Sequence, residues 1–263
     1  MQNSTDERTR DCNPAIALPR LTYVMLLLGA WTLPACSAAA QAEYPRMAPV
    51  GQYLIADRAS EIALARSAAP KPIADKATIL TLGKGGYETA IKGTNGFVCF
   101  VERSWANDFD FGQFWNPRLI SPQCWNAAAA SSLLQDYLAR TKWALSGAST
   151  EEMAARTKAE LANHQIGPPA PGSMAYMLSK HQYFHDPSPS SGPSNWYPHV
   201  MFFVPATDGS PWGANVTGGP LLSVTSDVEP VTTYLVVVAK WSDGTLAVPA
   251  AKSSSSQTHH HHG

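Results

Sequence analysis

Gly93-Thr94-Asn95-Gly96-Phe97-Val98-Cys99-Phe100-Val101-Glu102-Arg103-Ser104-Trp105, followed after an aromatic loop by Pro122-Gln123-Cys124-Trp125-Asn126, is the stretch that decides how this chain folds. Asn95-Gly96 lies between two strand-like runs. A type I′ hairpin turn needs positive φ at both central residues, and Asn-Gly supplies them at low cost. Phe97 to Val101 is therefore predicted to leave that turn as a strand. Phe97, Cys99 and Val101 point to one face and Val98 and Phe100 to the other, the pattern of a strand buried on both sides at the middle of a sheet. Glu102 and Arg103 follow on opposite faces. They are candidates for an ion pair at the strand's end or for a catalytic acid, but adjacent strand residues are not expected to share one site.

Upstream, Ala77 to Leu82 and Tyr87 to Ile91 read as two further strands, separated by Gly83-Lys84-Gly85-Gly86. With connections this short, residues 77–103 are predicted to form a three-stranded antiparallel meander. Before it, the apolar spacing over Leu54 to Ala69 argues an amphipathic helix stopped by Pro70 and Pro72. Downstream, Asn126 is placed to cap a helix running to Leu145, with Gly147 ending it. Ser149 and Glu152 form a capping box for a second helix reaching about Asn163. These two make a helical hairpin over residues 127–163, expected to pack on the sheet. Met174, Met177, Leu178, His181 and His185 recur at helical spacing, so Ser173 to Phe184 reads as a helix, with a strand over Met174 to Leu178 as the alternative. Strands return at Val200 to Val204, Leu221 to Thr225 and Thr233 to Lys240. The fold class is α+β: an antiparallel sheet from the meander 77–103 and the later strands 200–240, helices segregated between them, and one disulfide. Residues 43–249 read as one domain, and 250–263 as a flexible Ser/His tail.

Residues 21–33, L-T-Y-V-M-L-L-L-G-A-W-T-L, follow Arg10 and Arg20 and precede Ala40-Gln41-Ala42, the order of a secretory signal over residues 1–42. The block is too short to span a bilayer, which takes about 20 apolar residues. The expectation is a secreted or periplasmic protein. A rival reading takes Leu33-Pro34-Ala35-Cys36 as a lipoprotein site, with Cys36 lipid-anchored in the cell envelope. In an oxidising compartment the remaining cysteines, Cys99 and Cys124, are expected to be bonded to each other, contributing roughly 3 kcal/mol on chain-entropy grounds. A net charge of -1, with no run of five like charges, argues against a nucleic-acid partner.

The chain carries no G-x-S-x-G, H-E-x-x-H, Walker A or G-x-G-x-x-G pattern. Asp108, Asp110 and Gly112 match the start of a calcium loop, but the distal bidentate Glu is missing. Two functional readings remain. The leading one is a ligand-binding or structural interaction module, needing no cofactor, in which loops 104–125 and 194–213 present Trp105, Trp115, Trp125, Trp196 and Trp212 to a small molecule or glycan. The alternative is a metal-assisted hydrolase. There, His181 and His185 sit one helical turn apart, His199 closes the set, Asp186 ligates or orients, and zinc activates water.

Overall fold

The computed structural model describes residues 44–186 and 196–247. The expected export signal, the loop 187–195 and the Ser/His tail lie outside the described residues. The strands are β1 (Thr78–Gly83), β2 (Gly86–Ile91), β3 (Val98–Arg103), β4 (Ile120–Trp125), β5 (Met174–Met177), β6 (His199–Pro205), β7 (Leu221–Thr225) and β8 (Val231–Val237). The helices are α1 (Arg58–Arg66), α2 (Lys71–Ala74), α3 (Ala127–Ser132), α4 (Leu134–Leu145) and α5 (Thr150–Ala162). All eight strands join one sheet, in the order β2-β1-β3-β4-β5-β6-β8-β7. The early and late strands therefore share a sheet, and the class is α+β as expected. Among the described residues no helix is long and apolar enough to cross a membrane.

β3 runs where it was expected, in the interior of the sheet, but the first three strands are not a meander. β1 and β2 pair antiparallel through the Gly83–Gly86 turn, whereas β3 lies on the other flank of β1 and parallel to it. The connection crosses the start of β1. Thr94 N donates to Lys76 O at 2.8 Å, Asn95 Nδ2 to Ile73 O at 2.8 Å, and Thr78 N to Phe97 O at 2.8 Å. A Cβ on Gly93 would stand 2.2 Å from the backbone of Ala77 and Thr78, so only glycine lets the two backbones approach. Gly96 takes positive φ (+78°) and Asn95 does not. The pair still makes a turn, with Asn95 Oδ1 accepting from Phe97 N at 3.1 Å, but not the two-residue I′ hairpin its sequence suggests.

Two helix predictions also shift. The helix begun at Asn126 is capped as expected, Ala129 N donating to Asn126 Oδ1 at 3.0 Å, but it breaks at Leu133 into α3 and α4. Ser131 and Ser132 both donate their hydroxyls to Ala128 O, at 3.0 and 2.8 Å, the side-chain competition that makes serine a poor helix-interior residue. The predicted helix over 173–184 is instead β5 followed by irregular chain. Ala175 and Met177 are buried while Met174 and Tyr176 are only partly so, an alternation that suits insertion between β4 and β6. A short apolar run reads either way until its partners are known. The capping box at Ser149 and Glu152 forms as predicted.

The sheet buries both faces over its first half. On one, Leu80, Leu82, Phe100, Trp125, Met177, Met201 and Phe203 meet Leu134, Tyr137 and Ala144 of α4 and Met153 of α5. On the other, Ile79, Cys99, Val101 and Cys124 meet the alanine-rich side of α1 and α2, through Ala65, Ala68, Ala69 and Ala74. Cys99 and Cys124 are directly opposite in the β3–β4 ladder and are bonded. Each large apolar side chain buried here contributes about 1.5–3 kcal/mol relative to exposure.

Candidate functional site

The pleat of β3 sends Glu102 and Arg103 to different sides. Arg103 goes to the α1 face, where every arm of the guanidinium is engaged: Nε donates to Tyr53 O at 2.7 Å, Nη1 to Val101 O at 2.5 Å and Nη2 to Glu61 Oε1 at 2.8 Å. Glu61 also accepts from Leu82 N at 3.2 Å. Both residues are buried.

Glu102 goes to the α4 face and finds much less. It is 7% exposed and accepts one hydrogen bond, from Gln123 Nε2 to Oε2. Trp125 Nε1 donates to Gln123 Oε1 at 2.6 Å, which turns the amide so that its NH2 faces the carboxyl. The second oxygen, Oε1, has no hydrogen-bond partner among the described residues. Glu102 lines a cavity of about 280 Å³ between α4 and the sheet, walled by Trp125, Trp196, Phe184, Met201 and Phe203 and edged by Asp108, Asp136, Arg140 and Glu229. Burial pushes the Glu102 carboxyl up to about 8, against the pull of Arg140 and with the push of Glu229. Asp136 rises to about 7, first through burial and then through the charge of Glu229, with Arg140 opposing.

α4 supplies Asp136 and Arg140 at i and i+4, so both project from one side of the helix. Arg140 does not reach over to neutralise Glu102 directly. Its Nη1 pairs with Glu229 Oε1 at 2.7 Å, its Nη2 donates to Asn107 O at 2.6 Å, and its guanidinium lies 4.3 Å from the Phe109 ring centre. The third nitrogen, Nε, is buried without a partner among the described residues. The cavity thus gathers four carboxyl groups around Arg140, with Arg103 also on its lining but its guanidinium bonded on the α1 face, inside an aromatic wall.

The five predicted tryptophans separate. Trp125 and Trp196 line the cavity. Trp105 does not: it is fully buried beneath α4, its Nε1 donating to Thr141 Oγ1 at 3.0 Å and its ring 5.0 Å from that of Tyr53. Trp115 is likewise core, edge-on to Phe114 at 4.8 Å. Trp212 is 68% exposed, rests 5.5 Å from Tyr234 and is not part of the wall. The 104–125 loop is aromatic mainly because it fills space under a helix, a role that composition cannot separate from binding.

Among the described residues, no three His, Cys, Asp or Glu side chains are placed to hold a metal ion. With β5 in place of a helix, the i, i+4 argument for His181 and His185 no longer applies. His199 is buried at the start of β6; its Nδ1 donates to Tyr197 O at 2.9 Å, and Nε2 has no partner among the described residues. Burial lowers its imidazole to about 4. The His199 ring lies 4.7 Å from Trp196, Trp196 4.2 Å from Phe184, and Phe184 6.0 Å from His185, so aromatic rings link the two imidazoles. Asp186 belongs to a different cluster. Burial works against its charge, but hydrogen bonds from Tyr183, Tyr44 and Arg118 outweigh it and hold the carboxyl at about 2.

Asp136, Arg140 and Glu229 were not singled out from the sequence. The Asp136/Arg140 spacing looks like an ordinary solvent-facing helix pair, and Glu229 sits in the turn before β8 with no local signal at all. No protein-family model, no curated protein and no solved structure matches the chain.

Proposed function

We propose that this is an exported ligand-binding protein that takes a small organic molecule into the cavity between α4 and the sheet. The observation that carries this reading is the cavity itself: about 280 Å³, walled by Trp125, Trp196 and Phe184, with a buried carboxyl, Glu102, of which one oxygen alone is satisfied among the described residues. Concave, largely apolar sites with a few converging polar groups and displaced pKa values are where proteins hold small ligands. The disulfide and the apolar block at 21–33 support export into an oxidising compartment.

A small-molecule screen read by ligand-observed NMR and thermal shift tests it. Binders are expected to lose at least tenfold in affinity in Trp196→Ala and to be indifferent to Trp212→Ala. The opposite dependence would move the binding surface to the exposed loop around Trp212 and end the cavity reading.

A further inference from the structure

We infer that the cavity's ligand is a small organic cation, an ammonium group on an apolar or aromatic body, whose charged end docks on Glu102 while its body lies against Trp125, Trp196 and Phe184. This inference rests on the cavity being a ligand site, and it adds the chemical class. Glu102, Asp136, Glu229 and Asp108 all edge the cavity, with Arg140 and Arg103 beside them; the Arg103 guanidinium is turned to the α1 face and bonded to Glu61. Arg140 is already committed to Glu229 and to Asn107 O. An anionic ligand would meet four carboxyls and, on Arg140, only the single unpartnered Nε of a guanidinium whose charge is already paired with Glu229. A neutral ligand would bring no charge to replace the protons that Glu102 and Asp136 hold without it. An ammonium group supplies donors to Glu102 Oε1, which has none among the described residues, and charge to a site that is short of it. The wall suits the same ligand, since ring faces attract cations most strongly where water is excluded.

The groups that set the charge balance come from several elements. Glu102 and its donor Gln123 lie on β3 and β4, Asp136 and Arg140 on α4, Glu229 in the turn before β8, and Asp108 in the loop after Trp105. In the empty cavity the excess is relieved by protons: burial holds Glu102 near 8 and Asp136 near 7. An arriving ammonium replaces that relief. The O–H bond of the carboxyl breaks, the proton leaves to buffer, and carboxylate and ammonium pair. Binding therefore releases about one proton and tightens as pH rises, by up to about tenfold per pH unit below the carboxyl's own pKa.

Titration calorimetry on the full chain tests this, with phenethylamine as probe and 2-phenylethanol as its uncharged counterpart. Runs at about pH 6.5 and pH 8, in buffers of different ionisation heat, count the protons released. The amine is expected to bind at least tenfold tighter than the alcohol, to release close to one proton at the lower pH and to tighten severalfold at the higher. Glu102→Gln is expected to remove both the preference and the proton release. If that variant does not fold, Asp136→Asn and the buffer dependence of the unmodified protein decide. Alcohol binding as tightly as amine overturns the cation class and leaves the cavity reading standing. Binding of neither probe overturns the cation class too; only if the broader screen also yields no Trp196-dependent binder does the cavity reading fall with it.

Discussion

Two charged residues adjacent on β3 meet opposite fates. Arg103, under α1, has its guanidinium fully engaged and a carboxylate, Glu61, that is itself held by a second donor. Glu102, under α4, is also buried but has one donor among the described residues, and Arg140, which shares its cavity, is paired with another acid. Burial alone does not make a polar group functional. A buried charge whose bonding is complete inside the protein is a piece of architecture, because nothing remains for a ligand to satisfy. A buried acid left half-satisfied beside open volume is a standing cost, and ligand chemistry can draw on it.

The strongest way to break this contrast is to open the satisfied side. Glu61→Ala leaves Arg103 Nη2 and Leu82 N without their acceptor, and its expected cost is about 3–5 kcal/mol by urea denaturation, the range for an orphaned buried charge. A loss under about 1 kcal/mol would mean water reaches the site and the two sides differ less than the packing indicates.

A smaller effect sharpens the other side. Glu102 stands near 8 in the folded protein against an ordinary value of 4.5, so the native state keeps a proton that the unfolded chain gives up between those values. The stability this contributes is full below about pH 4.5 and is lost as pH rises through 8. Asp136 acts in the same direction, its contribution being lost as pH rises through about 7. His199 acts in the opposite direction, since its folded value near 4 costs stability as pH falls from 6.5 toward 4. The interval from about pH 7 to 8.5 therefore falls mainly on Glu102, with the tail of Asp136 at its start, and across it the protein is expected to lose about 1 kcal/mol through Glu102. Glu102→Gln should flatten that interval. An unchanged slope would place the titration elsewhere.

The smallest expected effect is at the surface. Trp212→Ala removes a residue that is 68% exposed, and stability should move by no more than about 0.5 kcal/mol in thermal or chemical unfolding. A larger loss would make the Trp212–Tyr234 contact part of the core that closes the late strands.

What could be read beforehand followed from local rules. The caps at Asn126 and Ser149 are side-chain-to-backbone bonds within four residues, and both formed. β3 showed its double burial in five consecutive side chains. The meander failed because Asn95-Gly96 was read as a two-residue hairpin turn, when Gly93, lacking a Cβ, allows the chain to cross β1. The Ser173–Phe184 helix failed because four apolar residues satisfy either period until β4 and β6 arrive on either side. Of the candidate site, Trp125 and Trp196 were read as aromatics in loops, but Trp125 ends strand β4, and nothing local distinguished the two from Trp105 and Trp115, which fill the core.

The sequence by itself determined the α+β class, the capped helix starts, the Cys99–Cys124 bond and the separation of Glu102 from Arg103 by the two-residue period of a strand. Each depends on residues close in the chain, or on two cysteines with no other partner once an export signal is set aside. Only the tertiary structure decided that β3 lies parallel to β1, that one sheet holds all eight strands, and that Glu102, Asp136, Arg140 and Glu229 meet around one cavity. Those four come from a strand, a helix and a distant turn, so their meeting depends on long-range pairing. Electrostatic coupling acts through space, and no spacing along the chain records it.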